Sequence, residues 1–352
     1  MSADTLFHRF GRHLRRAGET VTEPSTTTAS AASASLPQGP FPMKPLDLPR
    51  WPAMLRSPPE PIVRALLAKG PFAIDIPAFA EPAGTLGRSG SLEVRLAARA
   101  KDVRRAQRLR YKVFHEERGI VPSPLARLSR RDVDAFDEVC DHLLVIDHAA
   151  LAKPFRKAKP KVVGTYRLLR REVAEANFGF YSASEFDLAP ILARHPESRI
   201  LELGRSCVLK PYRSRQTLAL LWQGIWAYVR HHGCQVLIGC ASFEGTDPEA
   251  LALPLSHLHH NATSPEAWRV APLRGRRCSM DRMAPGAIDS RVAFRRLPPL
   301  LKGYLRLGAT VGDGAVIDHA FGTTDVFVVL PIGTIGERYI DYFTPAANLQ
   351  AA

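Results

Sequence analysis

The most constraining feature of the chain is Arg199 to Phe243, RILELGRSCVLKPYRSRQTLALLWQGIWAYVRHHGCQVLIGCASF. Ile200 to Leu209 has strand length but carries Glu202, Arg205 and Ser206 inside it. Pro211 then stops any ladder, because proline has no N–H to donate. From Gln216 the period becomes helical: Leu218, Leu221, Trp222, Ile225, Trp226 and Val229 recur at steps of three and four, a stripe one helix buries. Gly233 is placed to cap it, and Gln235 to Phe243 reads as a second buried strand. A strand–turn–helix–strand unit follows. Its first strand is anomalous, since a central strand carries Glu and Arg only where they are paired or used.

The 352 residues allow one large domain or two ordinary ones. Apolar content is 45%, ordinary for a globular protein, and no apolar run approaches the roughly 18–20 residues of a membrane span. The start of the sequence lacks the continuous apolar segment of a secretory signal. Five cysteines, with no CxxC pair, fit a reducing cytosol, where cysteine serves as a small hydrophobe. Cys207 as a nucleophile has no histidine nearby to mark it. The net charge of +14 predicts a polyanionic partner: nucleic acid, an anionic membrane surface or an acidic protein. No zinc-finger spacing, RNP-like aromatic motif or basic run with stacking aromatics is present, so nucleic acid is not the expected one.

Residues 1–90 read as a mostly disordered, Pro/Ser/Thr-rich basic extension, with Thr20 to Pro40 too poor in large apolar residues to hold a fold. Within it, Leu6, Phe7, Phe10 and Leu14 share a helical face beside arginines, the pattern of a membrane-surface helix, and Ile62 to Lys69 reads as a short helix. The folded domain is placed at 91–345. Leu92, Val94 and Leu96 alternate inward from Ser91, and Ala98 to Glu117 is helical. A loop runs from Pro122 to about Cys140. Asp141 to Asp147 and Lys161 to Arg170 form an antiparallel pair, a helical turn follows at Ala189 to Arg194, and the central unit comes next. Beyond it, Pro248 to His260 and Leu300 to Leu307 are helical, and Ala309 to Ile317 and Thr324 to Leu330 are strands. The order implies an α/β fold, a mixed central sheet flanked by helices.

Four patterns set charge inside apolar elements: Arg110-Tyr111-x-x-Phe114, Asp134-x-x-Asp137, Arg167 within GTYRLL, and Glu202-x-x-Arg205. Residues three apart on a strand point to opposite faces, so Glu202 and Arg205 share one only if a bulge intervenes. Taken singly, each pair reads as a structural ion pair organising a loop.

Taken together they resemble the acyl-homoserine-lactone synthases and, more closely, the ornithine N-acyltransferases of ornithine-lipid synthesis, two branches of the GNAT acyltransferase fold. The resemblance spans roughly Leu92 to Tyr342 and rests on RYKVFHEE (Arg110 to Glu117), DAFDEVCDHLLV (Asp134 to Val145), VVGTYRLL, SASEFDL, LELGRSCV, PLSHLHH and GDGAVIDHAFGTTDVFVVLP. The last two blocks resemble the ornithine branch specifically. The homoserine-lactone branch carries a tryptophan shortly after the position of Phe114; its absence here argues against S-adenosylmethionine as substrate.

The resemblance implies transfer of a 3-hydroxyacyl group from acyl carrier protein to the α-amine of L-ornithine. No metal and no cofactor are implied beyond the donor's own phosphopantetheine thioester. An attacking amine must first lose a proton, so a carboxylate base or water relay is needed, and Glu202 is the candidate, as base or as anchor for the amine, with Arg205 beside it. Asp134 and Asp137 are expected to hold the side-chain ammonium, and Arg110 or Arg167 to grip the acceptor carboxylate in a fork. Phe114 is assigned to the substrate site by position, and His142, beside Asp141, to orienting a catalytic group or to a structural hydrogen bond. Arg213-Ser-Arg-Gln-Thr217 contains no glycine to cradle a pyrophosphate. A carrier-protein donor brings only a phosphodiester and an acidic surface, for which Arg213 and Arg215 are candidates. The lipidic product and basic charge point to a cytoplasmic protein with peripheral contact to an anionic membrane. His257, His259 and His260 lack the carboxylate or cysteine frame of a metal site. Asp313, Asp318 and His319, among glycines, line the pocket or satisfy a turn.

Overall fold

A computed structural model describes residues 84–150 and 160–336. The expectations for the N-terminal amphipathic face, the Thr20–Pro40 tract and the Ile62–Lys69 helix lie outside the described residues. In chain order the elements are β1 (Thr85–Ser89), β2 (Leu92–Leu96), α1 (Ala100–Tyr111), α2 (Pro124–Ser129), β3 (Asp141–Asp147), β4 (Lys161–Arg170) and α3 (Arg171–Ala176). Then come β5 (Phe186–Asp187), α4 (Ala189–Arg194), β6 (Ile200–Val208), α5 (Arg215–His232), β7 (Val236–Glu244) and α6 (Ala252–Ala262). The chain continues with β8 (Ala271–Pro272), β9 (Arg277–Cys278), α7 (Ser290–Arg296), α8 (Pro299–Arg306), β10 (Thr310–Asp318) and β11 (Thr323–Pro331).

Nine strands form one sheet in the order β1-β2-β3-β4-β6-β7-β11-β10-β9. Every neighbouring pair is antiparallel except β6 and β7. A parallel pair needs a crossover, and α5 supplies it, so the stretch singled out in the sequence is the one unit that makes the sheet mixed. β1 pairs with β2 ahead of Ser91, so the sheet begins earlier than the sequence reading places it.

The α5 helix starts at Ser214, whose hydroxyl accepts from Thr217 N–H, and stops at Gly233, whose φ of 61° suits a residue without Cβ. Its predicted stripe is buried from Leu221 to Val229, about 1.5–3 kcal/mol for each large apolar side chain. Leu220, Gln223 and Gly224 are buried as well. Gly224 lets the helix settle on the sheet: a Cβ there would sit 2.8 Å from Val94 and Leu143. Tyr166 of β4 shares that face and bonds Tyr304 of α8, oxygen to oxygen, at 2.7 Å.

Two expectations change. The helix predicted over Ala98–Glu117 is α-helical only to Tyr111 and continues as a π-helical segment, Lys112–Glu117. The wider turn buries Val113 and Phe114 together behind Arg110 and Tyr111. The predicted loop at 122–140 contains α2, with Pro124 in its first turn and Ser123 as cap, and a 3-10 turn, Ala135–Glu138. Proline interrupts a helix but also begins one, since the first N–H groups have no intrahelical partner anyway.

Candidate active site

On the face opposite α5, β4 and β6 carry most of the residues the sequence marks. The β4–β6 register runs Arg167↔Gly204 but Thr165↔Cys207, so two β6 residues, Arg205 and Ser206, oppose the single Tyr166. Arg205 adopts the left-handed conformation, φ 49°, where non-glycine residues are rare. The condition set by the spacing is therefore met: a bulge brings Glu202 and Arg205 toward the same residue, Tyr181. Backbone N–H groups of Tyr181 and Ser182 donate to the two oxygens of Glu202 at 2.7 and 2.8 Å, while the Arg205 guanidinium lies 5.4 Å from the centre of the Tyr181 ring. Glu202 is 3% exposed, and burial raises its pKa despite those donors.

Beside it lies a compact arginine–aspartate cluster. Arg110 is fully buried; its Nε donates to Asp132 at 2.8 Å and its Nη2 to Asp137 at 2.6 Å. Arg167 donates to both oxygens of Asp134, at 2.6 and 2.7 Å, and Arg205 reaches Asp134 at 3.3 Å. Three guanidiniums thus meet three carboxylates. Burial works against the charges of Arg110, Arg167, Asp134 and Asp137, yet the Arg110 and Arg167 guanidiniums hold Asp137 and Asp134 below the ordinary aspartate range. Arg110, opposed by burial but bonded to Asp137, is held above its usual value.

This arrangement alters several expected roles. Asp134 and Asp137, expected to hold the acceptor's ammonium, are neutralised by arginines and also form the capping box of the 3-10 turn. Arg110, one of two candidates for the acceptor carboxylate, is sealed beneath Asp132 and Asp137. Arg167 is 3% exposed but keeps Nη2 without a partner in hydrogen-bonding geometry, as Arg205 keeps Nε. Phe114, 7% exposed, packs edge-on to Phe321 and beneath Arg205 rather than against an open acceptor site. His142 bonds through Nε2 to the Asp137 carbonyl at 3.1 Å, and burial lowers its pKa, so the neutral ring donates and braces the turn. Cys207 is buried and its thiol is pushed up to about 12, unlike a nucleophile.

Sequence reasoning missed Asp132, Tyr181 and Phe321. Asp132 was legible as a third acid in DVDAFD, needed once three arginines require partners. Tyr181 and Phe321 carry no local signal; only the fold sets their rings against Arg205, 5.4 and 4.5 Å from its guanidinium carbon.

Glu202 also marks the end of a ladder. β6 pairs with β7 only over Ile200–Glu202 and Val236–Ile238, although both strands continue. At the divergence, a Cβ on Gly239 would lie 2.4 Å from the Leu203 carbonyl oxygen, so glycine permits the close approach from which the strands fork. Across the fork, the same face of β7, β11 and β10 carries Cys240, Asp325 and Asp318, with Glu185 reaching over it from the Tyr181–Ser184 turn, Cys240 Sγ to Glu185 Oε2 at 3.9 Å.

At the helix start, Arg213 is 46% exposed and bonds Glu117 at 2.6 Å, and Arg215 is exposed in the first turn of α5. Arg213 and Arg215 are thus at the surface near the fork's β6 side, not in the buried cluster. His259 and His260 lie 3.9 and 3.3 Å from Asp281 at the surface, whereas His257 turns to Asn261. Asp313 pairs with Arg277, and His319 is exposed.

Residues 109–223, which include β6 and Glu202, match the Acetyltransferase (GNAT) domain. The fold is that of the GNAT acyltransferases. The chain is 53% identical to an L-ornithine N(alpha)-acyltransferase of Brucella abortus (strain 2308) over 263 residues, 75% of this chain and 92% of the relative. It is 51% identical to the L-ornithine N(alpha)-acyltransferase of Rhizobium meliloti (strain 1021) over 267 residues, 76% of this chain and 89% of that one. Among solved structures, FeeM, an N-acyl amino acid synthase from uncultured soil microbes, is similar with 10% identity and a TM-score of 0.38, covering 69% of this chain and 91% of that one. The chain belongs to the L-ornithine N(alpha)-acyltransferase family.

Proposed function

We propose that the protein transfers a 3-hydroxyacyl group from the thioester of acyl carrier protein to the α-amine of L-ornithine, giving lyso-ornithine lipid. The observation that carries this reading is the position of Glu202, at the apex of the β6–β7 fork with guanidiniums on one side and carboxylates on the other, in a chain of this family. The phosphopantetheine arm is an extended chain bearing two amides, suited to lie between diverging strands and bond their open edges as an added strand does. The acceptor carboxylate meets Arg167 and Arg205, whose unpartnered N–H groups remain available. Glu202, its pKa raised by burial, takes the amine proton directly or through a water. The amine lone pair then attacks the thioester carbonyl. That attack makes the C–N bond; as the tetrahedral intermediate collapses, the C–S bond breaks, and the leaving thiolate takes up the proton that the new amide nitrogen sheds. The reaction so written needs no metal and no further cofactor. Arg213 and Arg215 are suited to the acidic carrier protein, and the charge of +14 to an anionic membrane where the product partitions. Among the described residues, no helix is long and apolar enough to cross a membrane.

The test is to incubate the purified protein with 3-hydroxyacyl carrier protein and an equimolar mixture of the standard amino acids plus ornithine, then identify N-acyl products by mass spectrometry. A dominant ornithine adduct is expected. A different acylated amino acid would retain the chemistry and overturn the acceptor. No adduct, with the carrier protein bound, would make this a binding protein.

A further inference from the structure

We infer that Glu185, Asp318 and Asp325 form the receptor for a cationic acceptor side chain, the δ-ammonium in the case of ornithine. This deepens the proposed function and rests on it, since it names the residues that would make the site select a diamino acid.

The three carboxylates come from three separated parts of the chain, yet each offers an oxygen within 4.8 Å of the others. A primary ammonium directs three N–H donors tetrahedrally, so acceptors about 2.9 Å from its nitrogen lie about 4.7 Å apart. A limit of 4.8 Å admits that tripod. Charge points the same way. Glu185 has one cation, Arg276 at 3.4 Å, itself 40% exposed, and among the described residues neither Asp318 nor Asp325 has an ion pair. This is the reverse of Asp134 and Asp137.

A separate observation concerns Thr323. It lies opposite Asp318 and two residues from Asp325 on the same face of β11. It is 5% exposed, and its hydroxyl and that of Ser242 face the Asp325 carboxyl, yet neither the Thr323 Oγ1 nor Oδ1 of Asp325 has a partner in hydrogen-bonding geometry. Buried polar atoms of this kind cost about 1–3 kcal/mol each unless a ligand satisfies them. The trio also connects to the reacting centre. Phe321 N–H donates to Asp318 at 3.0 Å while its ring lies under Arg205, and Glu185 follows directly on the Tyr181–Ser184 turn that Glu202 holds. An amino acid with its carboxylate at Arg205 and its α-amine at Glu202 therefore has an acid-lined face ahead of its side chain.

Glu185 adds a signature. Burial and the neighbouring Asp325 push its pKa up to about 7. The other groups facing it are Asp318, Arg276 and Cys240, whose thiol stays neutral because burial raises it. A bound ammonium stabilises the carboxylate, so binding near pH 7 releases a proton.

The experiment compares kcat/KM for ornithine and for norvaline, which has the same carbon chain without the δ-ammonium, in the wild type, Glu185→Gln and Asp325→Asn, with folding checked by circular dichroism. The ornithine-to-norvaline ratio is expected to fall about 10- to 100-fold in each variant, the effect of removing a charge-assisted hydrogen bond. Equal losses on both substrates would show a merely structural role and overturn the assignment. If Asp325→Asn does not fold, Glu185→Gln decides. Calorimetry on the wild type, in two buffers of different ionisation enthalpy, gives a readout independent of variants and turnover: a larger proton release with ornithine than with norvaline. Equal release with both, or ornithine binding lost in EDTA, would also overturn it. A wild type that binds ornithine with proton release yet acylates nothing would refute the proposed reaction and leave the receptor standing.

Discussion

Two clusters of ionised groups lie on one face of the sheet, either side of the β6–β7 fork, and they are built on opposite terms. On the β4–β6 side, Arg110, Arg167 and Arg205 meet Asp132, Asp134 and Asp137 charge for charge. On the β7–β11 side, among the described residues, Glu185 alone of Glu185, Asp318 and Asp325 has an ion pair, with the half-exposed Arg276. A balanced buried cluster holds a loop in place, since removing any member strands a charge. An unbalanced one costs stability in the free protein, the pattern expected of groups whose partner arrives with the substrate.

The largest expected effect comes from unbalancing the first cluster. Arg110→Ala takes from Asp132 and Asp137 their shortest ion pairs, leaving, among the described guanidiniums, only Arg205 at 3.9 Å and Arg167 at 3.4 Å, and should destabilise by about 3–5 kcal/mol, read from the shift in urea midpoint. Asp325→Asn removes like-charge repulsion and should move the midpoint the other way, by about 1 kcal/mol at pH 8. Equal destabilisation by both would erase the distinction between the clusters. Glu202→Gln, between them, is expected to lower kcat about 100-fold while the fold survives, because the amide oxygen still accepts one of the two backbone N–H groups. Unchanged turnover would move the base elsewhere.

The clusters should also respond to pH with opposite sign. Asp134 and Asp137 titrate lower in the folded protein than their ordinary 3.8, so their contribution is present above about pH 4 and lost as pH falls toward the folded values. Glu185 titrates higher folded, about 7 against 4.5, so the native state binds more protons between those values. Its contribution is full below about pH 4.5 and is lost as pH rises to about 7. Urea titrations across this range should show the decline, and Glu185→Gln should flatten it. The smallest effect belongs to the surface: Arg213→Ala breaks an exposed pair with Glu117, should change stability by less than about 0.5 kcal/mol, and should raise the KM for acyl carrier protein a few-fold at low salt only.

Much of the scaffold was legible because its signals are local. β3, β4 and α4 fall on the residues read from the sequence, and α5 starts and stops at its own cap residues. Glu202, Arg205 and Arg167 announced themselves as charges inside apolar runs. Their partnerships did not. Asp134 and Asp137 read equally well as ligands for a substrate cation or for arginines, and only the approach of Arg110 from α1 and Arg167 from β4 decides. Asp325 was hidden by the apolar run around it, Glu185 carried no signal of its own, and Asp318 read as a residue that lines the pocket or satisfies a turn. Asp318 and Asp325 become neighbours through the pairing of β10 and β11, and Glu185 joins them from the turn over Cys240 of β7, long-range facts with no local trace.

The bulge at Arg205 has a consequence for insertions and deletions. Along a strand, which face a side chain serves is a matter of odd and even, and β6 changes parity once, at Arg205–Ser206. Removing either residue would restore simple alternation with both flanks in their present register, Arg167 opposite Gly204 and Thr165 opposite Cys207, whereas removing a residue between Glu202 and the bulge would turn one flank to the opposite face and set Glu202 out of phase with Cys207. The ladder can therefore absorb a single-codon loss only at the bulge, and there the loss removes the left-handed turn that aims Arg205 at Asp134.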